Sequence, residues 1–122
     1  MVVRKPAAAW LMQIREQIGQ LARVAPDWDS YGAAAVDPEA IQSALDIADA
    51  LAAHSSIAPP VVTATPHGHV GLCWDTGDRS IDASIDPDGA IEMVVIHRSR
   101  RGRDREVRTS DVGDLVSVLT EP

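Results

Sequence analysis

The apolar positions divide the chain at the Pro59-Pro60 pair. Before it they recur at three- and four-residue spacing, and after it they alternate. From Ala7 to Val24, the residues Trp10, Ile14, Ile18 and Leu21 form one stripe, with Arg15, Glu16, Gln20 and Arg23 between them. This pattern predicts an amphipathic helix over 7–24. A second helix is expected over 37–54, opened by Asp37-Pro38-Glu39: a capping oxygen, a proline where no donor is needed, and an acid that suits the helix dipole. Its apolar side is Ile41, Ala44, Leu45, Ala48, Leu51 and Ala52. The small residues let a neighbouring backbone approach, so the two helices are expected to form a hairpin.

Beyond Pro60 the period of two predicts strands at 61–65, 69–75, 79–86, 90–97 and 104–108, separated by turn-rich connectors. Connectors this short pair consecutive strands antiparallel, as a meander across 61–108. A two-residue Thr76-Gly77 loop would set Asp75 opposite Asp78, Cys73 opposite Ser80 and Gly71 opposite Asp82. One face then carries Val70, Leu72, Trp74, Ile81, Ala83, Ile85, Ile91, Met93 and Val95, for the helices to cover. A last helix is expected over 110–119, capped by Thr109 or Ser110. The fold class is therefore a single α+β domain over 1–122: an N-terminal helical hairpin on one face of a four- or five-stranded antiparallel meander, with a short C-terminal helix.

This arrangement strands Val94 and Ile96 on the polar side, beside a strand whose outward residues are Asp and Ser. Two covers are expected to compete for them, the C-terminal helix and the same surface of a second copy.

Composition sharpens the picture in three places. With 122 residues the chain fits one core, and with no Phe, three Trp and one Tyr that core must be built from small aliphatic side chains. Acidic residues outnumber basic ones 18 to 11, for a net charge of −7, which disfavours broad binding to nucleic acid or membrane surfaces. Positive charge is nevertheless concentrated in 98–108, where Arg98, Arg100, Arg101, Arg103, Arg105 and Arg108 face only Asp104 and Glu106. Guanidinium forks suit carboxylates and phosphates, so this hairpin is the candidate partner-binding segment. No aromatic residue interleaves the arginines for base stacking, which ranks a protein partner above nucleic acid.

Cys73 is the only cysteine, which excludes an internal disulfide and reads as a cytoplasmic chain. Polar residues from Gln13 onward break the N-terminal apolar run, so neither a leader nor a membrane span is expected. His67, His69 and Cys73 form an H-x-H-x₃-C string of zinc-compatible types. Along an extended strand, however, Cys73 lies about 13 Å from His69 at roughly 3.3 Å per residue. A metal-dependent enzyme built on these three ranks below both interaction readings, and no metal or cofactor is expected. No nucleophile elbow or phosphate-cradling loop points to catalysis either.

Half of the aromatic residues sit in one short stretch, DWDSYGA, in the connection between the helices. Trp28 and Tyr31 are expected to fold back over the helix ends as a structural keystone, with Asp29 accepting backbone hydrogen bonds and Gly32 permitting the turn. This stretch, followed by VDPEAI, TPHGHVGLCW and DPDGAI, resembles a group of small uncharacterised bacterial proteins with a W-D-[GS]-Y-G-A segment. The resemblance covers about residues 20–92 and implies a shared fold, with no catalytic residues to carry over. Where that group tends to Asp-Gly-Gly, this chain has His67-Gly68-His69, so the histidines look like local variation. The expected role is a non-enzymatic interaction domain, an accessory or neutralising partner of another bacterial protein, with homodimerisation open.

Overall fold

The computed structural model of the chain describes residues 8–99 and 104–121. Its elements run α1 (Leu11–Gln20), α2 (Pro38–Ala52), β1 (Val61–Ala64), β2 (Val70–Asp75), β3 (Arg79–Ile85), β4 (Ile91–His97), β5 (Arg105–Thr109) and α3 (Val112–Leu119). The five strands form one antiparallel sheet in chain order, the meander that the alternation predicts.

The first helix is shorter than the stripe suggests. No side chain caps α1 at Trp10; the indole instead donates to the Ile57 carbonyl at 3.2 Å, tying the helix start to the connection before β1. After Gln20 the helix tightens into a single 3-10 turn, Leu21–Arg23, and Val24 is extended (φ −72°, ψ 119°). Pro26 keeps the helix from resuming, because the residue before a proline, here Ala25, is pushed out of the helical region. In contrast, α2 starts as its sequence indicates. Asp37 Oδ1 accepts from the Glu39 N–H at 2.9 Å, and Pro38 takes the first helical position. At α3 the capping residue is Asp111, whose Oδ1 accepts from Gly113 N at 2.8 Å; Thr109 instead accepts from Asp111 N.

The expected β2–β3 register is corrected by two residues: Asp75 lies opposite Ser80, Cys73 opposite Asp82 and Gly71 opposite Ser84. The loop is longer than Thr76-Gly77 because Asp75 Oδ1 accepts from Gly77 N, while Thr76 N–H and its hydroxyl both reach the Arg79 carbonyl. Gly77 closes this turn at φ +85°. A slip of two residues leaves every side chain on its face, whereas a slip of one would have inverted the sheet.

The inner face is consequently the predicted one. Val70, Leu72, Ile81, Ile85, Ile91, Met93 and Val95 are all buried there beneath Ile14 and Ile18 of α1 and Ile41, Ala44, Ala48 and Leu51 of α2. Trp74 closes one corner, donating its indole N–H to the Ala58 carbonyl at 2.9 Å.

The C-terminal helix overturns an expectation. It does not cover Val94 and Ile96, because Leu115 and Val118 join the same core as α1 and α2. Two arginines on the inner side of the strand ends hold it there. Arg79 of β3 and Arg105 of β5 both pair with the Glu121 carboxylate just after α3.

Candidate functional site

With all three helices on the inner face, the outer face of the sheet is uncovered among the described residues. Strand register arranges it in cross-strand rows. One row crosses all five strands as Val61, Cys73, Asp82, Val94 and Glu106. The next runs Thr63, Gly71, Ser84, Glu92 and Arg108. Val61 is 65% exposed, Val94 39% and Ile96 40%, so the two stranded residues of β4 stay open to solvent. A shallow depression of about 420 Å³ lies over β4 and β5, lined by Glu92, Met93, Val94, Glu106, Val107 and Arg108.

The described arginines of the 98–108 segment are not brought together. Arg98 grips both oxygens of Asp75, at 2.7 and 2.9 Å, and the Gly77 carbonyl at 2.9 Å. This pair holds the Asp75 carboxyl below its ordinary value, chiefly through the Arg98 hydrogen bond and then that of Gly77 N–H. Arg105 points to the helix side and Glu121. Arg108 lies on the outer face, bonded to Glu92 and 3.5 Å from Asp86. Arg100, Arg101 and Arg103 lie outside the described residues. Each described arginine therefore already has a carboxylate partner, and the three serve different parts of the fold.

His67 and His69 have ring centroids 6.3 Å apart. Among the described residues, no three His, Cys, Asp or Glu side chains are grouped to hold a metal ion. Cys73 is engaged elsewhere. Partial burial first, and then its hydrogen bond to Asp82 and the charge of that carboxylate, push the thiol up to about 11. A thiol so far above neutral pH is a poor thiolate donor and a poor nucleophile. The Cys73–Asp82 contact could not be read from the sequence, because the expected register paired Cys73 with Ser80.

DWDSYGA forms a loop braced by its own aspartates. Asp29 Oδ1 accepts from Tyr31 N at 2.9 Å and Ala33 N at 3.1 Å, while Asp27 Oδ1 accepts from Gly32 N at 2.7 Å. Asp27 and Ser30 adopt φ of 61° and 64°, conformations that these short polar side chains tolerate. Gly32 is left-handed too, at φ +84°. The loop is tied to the β1–β2 turn by Ala34 N–H to the Pro66 carbonyl and Asp37 N–H to the Gly68 carbonyl. The expectation that Tyr31 covers the helix ends is corrected: the residue is 92% exposed. Asp29 satisfies the loop backbone, so no ring packing is needed to close it. Trp28 is exposed as well, its indole donating to the Ala34 carbonyl of the same connection at 3.3 Å.

Among the described residues, no helix is long and apolar enough to cross a membrane. Comparison with protein-family models, curated proteins and solved structures finds no match for the chain.

Proposed function

We propose that this domain is a non-enzymatic protein-interaction module of the bacterial cytoplasm, an accessory or neutralising partner of another protein, and that the uncovered sheet face is its contact surface. The observation that supports this reading is the one-sided distribution of helices. A five-stranded sheet buried on one side leaves Val61, Val94 and Ile96 open on the other. Apolar side chains presented on a rigid sheet and rimmed by charge are the usual ingredients of a binding surface.

The arrangement gives less support to the alternatives. Nucleic-acid contact through 98–108 would draw on arginines that, where described, are already matched to carboxylates. A recess of about 250 Å³ between α2 and the start of α3 is lined by Ser43, Asp46, Ile47, Gly89, Ile91, Ser110 and Val112, with Asp46 its one titratable group. A metal enzyme on His67, His69 and Cys73 would need a thiolate that Asp82 opposes.

The test is co-purification from a native lysate with the wild-type chain and with Val94→Arg/Ile96→Arg. A stoichiometric partner retained by the first and lost by the second is expected. Equal retention by both would remove the sheet face from the proposal.

A further inference from the structure

The chemistry of the open face specifies what docks on it. Val94 lines the β4–β5 depression together with Glu106 and Arg108, and its cross-strand neighbours are Asp82 on one side and Glu106 on the other. Directly opposed residues in an antiparallel sheet hold their Cβ atoms about 4.5–5.5 Å apart, so two carboxylates flank one apolar side chain. The other acids of this face differ in kind. Asp75 is held by Arg98 and Glu92 by Arg108. Among the described residues, Asp82 accepts only the weak thiol donor of Cys73 and Glu106 has no ion pair. Val94 thus lies between two carboxylates, Asp82 and Glu106, that form no ion pair among the described residues.

We propose, resting on the interaction reading above, that this face takes an extended basic segment of another protein, with Lys or Arg stems lying over Val94 and Ile96 and their cationic ends between Asp82 and Glu106. Long basic side chains have the required form, an apolar stem ending in a charge. A second copy centred on Val94 would bring Asp82 and Glu106 against the same two carboxylates, and phosphate-bearing ligands carry the wrong sign. Three partly exposed apolar side chains provide a small apolar contact, so binding rests largely on charge and weakens with salt.

The probe is a short synthetic peptide of alternating Lys and Val, titrated into the full chain at low salt and followed by amide chemical shifts. Shifts are expected at Asp82, Val94 and Glu106. Asp82→Asn/Glu106→Gln should weaken the peptide about tenfold, the scale of two exposed charge contacts removed. Glu16→Gln/Asp46→Asn, which changes the net charge equally but on the helices, should weaken it less than about twofold. Equal weakening by both double variants would reduce the effect to general attraction for an acidic protein and overturn the proposal. So would equally tight binding of spermine, which carries charge without side chains, or a dimer in sedimentation that Val94→Arg/Ile96→Arg dissolves. The two proposals fail separately. If a lysate partner is lost with Val94→Arg/Ile96→Arg yet kept with Asp82→Asn/Glu106→Gln, the face still binds protein but the basic segment is wrong.

Discussion

The two faces of the sheet are made from the same strands and obey different rules. On the inner face, Leu72, Ile81, Ile85, Met93 and Val95 lie beneath three helices with almost no contact with water. On the outer face the alternate residues of those strands are Cys73, Ser80, Asp82, Ser84, Glu92, Val94 and Ile96, and nothing among the described residues lies over them. Period-two alternation alone assigns residues to faces, but it does not say which face the helices choose. That choice follows from apolar area: hydrophobic burial scales with the surface removed from water, and the inner side offers far more of it. Stability should therefore reside in the inner face, and the outer face should be free to vary or to bind.

The largest test of this contrast is truncation. Leu72→Ala or Ile81→Ala, each at a fully buried position, should cost about 2–5 kcal/mol in urea unfolding. Val94→Ala or Ile96→Ala should cost about 1 kcal/mol or less, since much of each side chain is already in water. An outer truncation as costly as an inner one would mean that the outer face is buried in solution. Leu115→Ala belongs with the inner set, because its side chain is fully buried in the core. A small loss there would place α3 elsewhere.

A somewhat smaller effect is expected where the braced loop meets the sheet. Gly68 has φ +83°, and a Cβ on it would lie 2.7 Å from the Ala35 carbonyl oxygen. Gly68→Ala should cost about 1–3 kcal/mol, combining a left-handed conformation with a backbone clash. Gly32 is also left-handed, but a Cβ there meets open space, so Gly32→Ala should cost about 1 kcal/mol. Thermal unfolding of the two variants measures the difference. Equal losses would show that the tie between the loop and the β1–β2 turn carries no energy.

Much of this fold was legible in the residues, and the exceptions have physical causes. Alternation of Val70, Leu72 and Trp74 with Gly71 and Cys73 identified the buried side, and Asp37-Pro38-Glu39 marked a helix start, because both signals are local. The β2–β3 register escaped because it depends on how the turn after Asp75 is closed, with Asp75 Oδ1 accepting from Gly77 N and Thr76 reaching the Arg79 carbonyl, bonds that no apolar pattern marks. With the register went the Cys73–Asp82 pair, which exists only across those two strands. The side chosen by α3 escaped too, since an apolar stripe on Val112, Leu115, Val116 and Leu119 fits either face. Glu121, which pairs with Arg79 and Arg105, had no periodic signal to mark it.

Charge chemistry on the outer face provides a finer test. Burial and Asp82 hold the Cys73 thiol near 11, above its ordinary 9.0. Asp82→Asn removes the carboxylate but leaves the burial, so the pH profile of thiol alkylation should shift part of the way back toward 9.0. Because the folded value is raised, the neutral thiol contributes stability in full below 9.0, and this is lost as pH rises toward 11. An unchanged alkylation profile in Asp82→Asn would mean that the two side chains do not touch.

The smallest effect should come from Asp75 and Arg98. The pair is exposed on the rim of the open face, with side-chain accessibilities of 65% and 46%. Its folded carboxyl value lies below the ordinary 3.8, so above 3.8 both folded and unfolded chains are ionised and the pair's stabilisation is complete. As pH falls through the folded value, the native carboxylate is protonated and that stabilisation disappears. Asp75→Asn should therefore be slightly less stable than wild type at neutral pH, with a difference that shrinks in acid below 3.8 and also shrinks with added salt. Paired unfolding curves across that range measure it. A loss comparable to that of Leu72→Ala, persisting at low pH, would break the contrast between the faces, because an outer-face charge would then be as structural as the core. A small, salt-sensitive difference fits a face whose charges do little to hold the fold and can be set by what binds there.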